Sequence, residues 1–153
     1  MRLADLLSAD RIKIPLAART KDEALRELVA LVAKGGEAQG ALLASVLERE
    51  RKMSTGIGRG VAIPHGRSAE AHGLEMAFGV TAAPIDYGSL DGAPVRLIFL
   101  LVSPPDQPSA HCQALGRIAR LLASDTAADE LLEAAGPAEA LSVLGSEEDG
   151  LGE

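Results

Sequence analysis

The sequence predicts a single α/β domain, and three observations carry that expectation. Segments of strand character alternate with segments of helical periodicity. One strand, Leu97 to Val102, is continuously apolar, as a central strand covered on both faces must be. Neither an internal repeat nor a linker divides the 153 residues, a length suited to one domain.

In chain order, Arg11 to Ala17 alternates and contains a proline, which suits a short edge strand or an extended entry segment. Thr20 followed by Glu23 forms a capping-box pattern. Leu25, Leu28, Val29 and Val32 then recur at helical spacing, and Gly35-Gly36 stops that helix. A second helix is expected over Glu37 to Lys52, with Leu43, Val46 and Leu47 inward and Glu48 to Lys52 mostly solvated. Three glycines at alternate positions, Gly56, Gly58 and Gly60, exclude a stable helix there. The apolar triplet Val61 to Ile63 leads into Pro64-His65-Gly66. Leu74 to Ala83 and Val95 to Val102 read as strands, separated by turn residues from Tyr87 to Pro94. A rigid proline loop enters a helix of about Ser109 to Ala123, whose inward stripe is His111, Leu115, Ile118 and Leu122. Short helices over Ala127 to Ala135 and Ala138 to Leu144 come next. The acidic residues 146–153 are expected to be a disordered tail, leaving 1–145 as the domain.

Composition narrows the function classes. The chain is 47% apolar but 2% aromatic (Phe78, Phe99 and Tyr87), so it lacks the stacking platform of single-strand nucleic-acid binders. With 15 Lys+Arg against 22 Asp+Glu, the formal charge of −7 disfavours a general phosphate-backbone binder. Any bound anion needs a local site. A lone cysteine, Cys112, excludes an internal disulfide and a cysteine-based zinc knuckle. Asp5 interrupts what a signal peptide would need, and the longest aliphatic run falls far short of the ~20 residues that span a bilayer. A soluble cytoplasmic protein without membrane insertion is expected.

Among the candidate residues, His65 stands between Pro64, which fixes the backbone, and Gly66, which leaves the imidazole open. It is either a turn histidine or a nucleophile competent near neutral pH. The stretch Ser54-Thr55-Gly56-Ile57-Gly58-Arg59-Gly60 can aim amide and hydroxyl donors at one point, so it is either a tight glycine turn or an oxyanion cradle. His111 falls on an inward helical stripe within the first turn, where the choice is between a core histidine and an anion partner beside the helix N-terminus. Arg49 suits bidentate phosphate contact but sits in a charged run. His72 is expected to be exposed in its polar loop, and Cys112 to be a small packed side chain rather than a reactive thiol.

The stretch Arg49 to Gly66, RERKMSTGIGRGVAIPHG, resembles the signature of enzyme IIA proteins of the fructose/mannitol class of the bacterial phosphoenolpyruvate phosphotransferase system. The nitrogen-regulatory members are nearest in pattern. The similarity continues through Pro84-Ile85-Asp86-Tyr87, Asp91 to Val95, Leu97 to Leu101, Pro105 and His111 to Leu122, about 130 residues in all. It implies a mixed sheet of about five strands flanked by helices, with His65 as the phosphoacceptor through Nε2. It further implies His111 as a second active-site histidine, Arg49 bordering the pocket, and Ser54, Thr55, Gly56, Gly58 and Gly66 around the phosphate. No cofactor and no metal are implied, because a phosphohistidine donor is already activated. The implied donor is a histidine phosphocarrier protein (HPr/NPr-like), and the implied recipients are regulatory target proteins or an enzyme IIB. Arg59 replaces a common asparagine, adding positive charge expected at the pocket rim, and Cys112 replaces a usual leucine. From a different class, a metal site of a small hydrolase built on His65, His72 and His111 is the remaining alternative, although no acidic ligand motif supports it.

Overall fold

The computed structural model describes residues 1–151 and shows one α/β domain with a mixed sheet between two helical layers. Among the described residues six strands are present: β1 (Ile12–Leu16), β2 (Gly56–Gly58), β3 (Val61–Ala62), β4 (His65–Arg67), β5 (Glu75–Ile85) and β6 (Val95–Ser103). The helices are α1 (Leu3–Leu6), α2 (Lys21–Val32), α3 (Gly36–Lys52), α4 (Pro108–Leu122), α5 (Asp125–Glu133) and α6 (Pro137–Leu151). A 3-10 turn at Ala9–Arg11 precedes β1. Sheet order is β1-β5-β6-β3-β2, with β4 also paired to β6.

The apolar run predicted to be central is β6. Alternate side chains serve the two faces: Leu97, Phe99 and Leu101 pack with α4, α5 and α6 residues. Ile98, Leu100 and Val102 pack with α2 and α3. Covered on both sides, this strand has no use for polar alternation. Among the described residues no helix is long and apolar enough to cross a membrane.

The strands β3 and β4 lie end to end along one edge of β6. Val61 pairs with Leu97 and His65 with Leu101, so the offset of β3 is maintained in β4. Pro64 interrupts the line because it has no amide hydrogen, yet its carbonyl still accepts the Leu101 N–H at 3.0 Å. The expected mixed sheet of about five strands is present with six among the described residues, and the short β4 puts His65 on the sheet. Upstream, β2 and β3 form a hairpin whose central residues Arg59 and Gly60 have φ of 57° and 83°. Such tight hairpins require positive φ, which explains the glycines and makes arginine an unusual occupant.

Two expectations are corrected. The tail is not disordered as far as Leu151, since α6 runs through Ser146 and beyond. The buried Glu148 carboxylate accepts the Leu3 and Ala4 amides of α1 at 2.6 and 2.8 Å and the Arg117 Nε–H at 2.7 Å. Its partners lie at the other end of the chain and in α4, so local composition could not show them. Residues 152 and 153 of the expected tail lie outside the described residues. The second correction concerns α3, whose buried residues are Leu42, Val46 and Glu50, while Leu43 and Leu47 are half-buried. Glu50, expected in solvent with its charged neighbours, is in the interior.

Candidate functional site

Close approach of α3 to β4 builds the site. A Cβ on Gly66 would lie 3.0 Å from both the Ser45 carbonyl carbon and the Val46 nitrogen. Glycine at 66 therefore lets the helix cross directly over the strand. The crossing point determines which side chains of that helix reach the strand end. Ser45, Glu48, Arg49 and Lys52 are spaced as neighbours on one stripe and form one wall of a cleft of about 360 Å³. His65, Gly66 and Arg67 form its floor, and His111, Cys112 and Leu115 of α4 close the far side.

The His65 and His111 rings meet edge to face, with centroids 5.3 Å apart. His65 Nδ1 lies 2.8 Å from the Ile63 carbonyl. A carbonyl only accepts, so Nδ1 carries the proton and Nε2 keeps its lone pair. Burial lowers the His65 pKa below the ordinary histidine value, the bond to Ile63 opposes that shift, and the charge of Arg49 adds to it. His111 is lowered further, to about 4, by burial first and then by His65 and Arg67. Both shifts favour the neutral ring. The Arg49 Nη1 donates to the Met53 carbonyl at 2.8 Å, which steadies its guanidinium at the end of α3. Arg49, Lys52 and Arg67 make the cleft cationic on an acidic protein, with Glu48 the opposing charge.

The structure thus brings together His65, His111, Arg49 and Gly66. It does not bring Ser54, Thr55, Gly56 or Gly58 to the cleft wall. Gly56 and Gly58 pair with β3, and Gly56 packs where a side chain would collide with Ser89. The Ser54 hydroxyl accepts the Gly56 amide at 3.2 Å. Thr55 is buried and its hydroxyl is committed to Glu50 and Tyr87. Arg59 likewise departs from expectation: its guanidinium reaches the Leu122 carbonyl at 2.7 Å and Asp125 at 2.8 Å, joining α4 to α5 and leaving the cleft rim. Cys112 is exposed on the cleft rather than packed. His72 is exposed in its loop and is not part of the cleft wall, so the three histidines do not converge.

Sequence reading missed a buried polar cluster behind the floor. The Glu50 carboxylate accepts the Thr55 amide at 2.8 Å, the Thr55 hydroxyl, the Tyr87 hydroxyl at 2.9 Å and Lys21 Nζ at 2.9 Å. Burial works against its charge, but the donors from Thr55, Lys21 and Tyr87 outweigh burial and keep its pKa low. Burial and the Glu50 charge push the Tyr87 phenol up. The Thr55 carbonyl in turn accepts the Ile63 amide at 3.0 Å, and Ile63 holds His65. A signal was available, because Glu50 continues the spacing of Leu42 and Val46.

The α/β fold thus carries two apposed histidine rings beside a cleft lined by three cationic side chains. Residues 5–147 match the family described as phosphoenolpyruvate-dependent sugar phosphotransferase system, EIIA 2, and the chain belongs to that family. It is 41% identical over 135 residues to a nitrogen regulatory protein of Bradyrhizobium diazoefficiens, covering 86% of each chain. It is 35% identical over 136 residues to the fructose-specific EIIABC component of Bacillus subtilis, covering 88% of this chain but spanning only 21% of that larger protein. Its fold matches the crystal structure of the nitrogen regulatory protein IIA-Ntr of Neisseria meningitidis at a TM-score of 0.86 and 27% identity, over 93% of this chain and 98% of that one.

Proposed function

We propose that His65 accepts a phosphoryl group on Nε2 from the phosphohistidine of a small phosphocarrier protein, and that the phosphorylation state is read by regulatory partner proteins. The observation that carries this reading is the Nδ1–Ile63 hydrogen bond, which directs the imidazole lone pair away from the backbone beside a cationic cleft. In the transfer, the donor's phosphorus–nitrogen bond breaks as the bond to His65 Nε2 forms. The Nδ1 proton stays in place, and the Ile63 carbonyl stabilises the positive charge that develops on the ring. Arg49 stabilises the equatorial phosphoryl oxygens, and His111 donates a hydrogen bond to them. A cytoplasmic setting follows from the donor class.

The test is labelling by a phosphorylated histidine phosphocarrier. His65→Ala abolishes incorporation, and labelling that persists at unchanged stoichiometry overturns the assignment. His111→Ala still accepts phosphate but about 100-fold more slowly, the scale of losing one oriented donor. A wild-type rate in that variant returns His111 to a structural role.

The Bacillus subtilis relative supports a second reading, in which His65 passes phosphate to a fructose/mannitol-type enzyme IIB. Rapid transfer to such a IIB cysteine selects transport. Phosphorylation-dependent binding of a regulatory protein, without that transfer, selects regulation. The higher identity to the nitrogen regulatory relative favours regulation.

A further inference from the structure

We propose that Ser103 is a positioning residue that locks His111 in the Nε2–H tautomer, opposite to that of His65, so that the cleft holds one imidazole lone pair and one imidazole donor facing the same phosphoryl position. This inference rests on the phosphotransfer role proposed for His65.

Ser103 ends β6 and is fully buried. Its Oγ lies 2.6 Å from His111 Nδ1, and among the described residues this is the hydroxyl's one side-chain hydrogen-bond partner. A serine hydroxyl is both donor and acceptor, whereas a neutral imidazole has one nitrogen of each kind. Two arrangements are therefore conceivable. If Nδ1–H donated to Oγ, the hydroxyl hydrogen would be left without a protein acceptor at a fully buried position. If the hydroxyl donates to Nδ1, both groups are satisfied and the imidazole proton must reside on Nε2.

The neighbouring ring is fixed by the opposite device. Ile63 offers a carbonyl, which forces a proton onto His65 Nδ1 and frees Nε2 as a lone pair. One ring is thus set by a pure acceptor and the other by a hydroxyl whose hydrogen has a single outlet. With the rings 5.3 Å apart, a phosphoryl group on His65 Nε2 would meet a donor at His111 rather than a second lone pair, which would repel its oxygens. The device suits a histidine that stays neutral, since an imidazolium would donate from both nitrogens whatever stood beside it.

The test uses nitrogen-15 chemical shifts and long-range proton–nitrogen correlations on the unphosphorylated full chain. In the wild type, His111 should show an unprotonated Nδ1 and a protonated Nε2, and His65 the reverse. Ser103→Ala should mix the His111 tautomers, leave those of His65 unchanged and slow phosphoryl transfer about 3- to 10-fold, less than loss of the donor itself. Ser103→Thr should restore both the tautomer and the rate. A protonated His111 Nδ1 in the wild type overturns the proposal. So does a Ser103→Ala variant with an unmixed tautomer, or one that transfers at the wild-type rate. Failure of the wild type to be labelled on His65 would instead overturn the functional reading, and the tautomer measurement needs no phosphate donor.

Discussion

Gly66 shows how one missing side chain organises the site. Its Cα faces the α3 backbone, and neither the Ser45 carbonyl carbon nor the Val46 nitrogen can swing aside. Gly66→Ala should therefore destabilise the fold by about 1–3 kcal/mol through overpacking and slow phosphorylation by moving Arg49. Gly116, on the exposed face of α4, has nothing near its missing Cβ. Gly116→Ala should be stabilising by about 0.5–1 kcal/mol from helix propensity. Urea unfolding of the two variants checks the contrast. His111 makes a second prediction at this scale. Its folded pKa of about 4 lies below the ordinary histidine value near 6.5, so the unfolded state binds more protons between those limits. The His111 contribution to stability is fully present above pH 6.5 and is lost as pH falls towards 4. Replacing it with Gln should reduce the acid sensitivity of the urea midpoint between pH 7 and 5, and an unchanged slope would assign that sensitivity to other groups.

At the level of elements, α6 is fixed to the amino terminus by one carboxylate. Glu148 satisfies two of the orphan amides at the start of α1 and pairs with the largely buried Arg117. Without the carboxylate the Leu3 and Ala4 amides lose their acceptor and Arg117 loses one partner, so Glu148→Ala should cost about 3–5 kcal/mol. Deleting residues 146–153 should have a similar effect, lowering the midpoint of thermal unfolding by roughly 6–20 °C for a domain of this size. Calorimetry of the truncated chain checks this, and an unaltered midpoint would mean that the end of α6 contributes nothing to the fold. The same logic links α3 to the hairpin: Glu50 holds Thr55, Thr55 holds Ile63, and Ile63 holds the His65 ring. A carboxylate without a place on the cleft wall thus bears on the orientation of the His65 ring.

Across the whole molecule, the charge is arranged against its average. The chain carries −7, yet Arg49, Lys52 and Arg67 gather at the cleft. The proposed phosphorylated donor would be drawn to that patch through screened forces, so its association rate should fall as ionic strength rises from about 0.02 to about 0.5 M, where the Debye length shrinks. Arg67→Ala should flatten this salt dependence, and stopped-flow measurement of donor binding checks it. Under the proposed function, phosphorylation would add about −1.5 to −2 charge to this cationic spot, enough to change partner binding without refolding. Much of this was legible along the chain. Periodicity and capping chemistry located α2, α4 and the central strand, because short-range sterics and the burial of β6 on both faces leave local marks. The motif singled out His65, His111 and Arg49, and all three line one cleft. What no local pattern carried was proximity: Ser103 under His111, Glu50 behind Ile63, Glu148 capping α1, and the turning of Arg59 and Thr55 away from the cleft. Those partners are joined by hydrogen bonds between distant segments, and such bonds exist once the layers have packed.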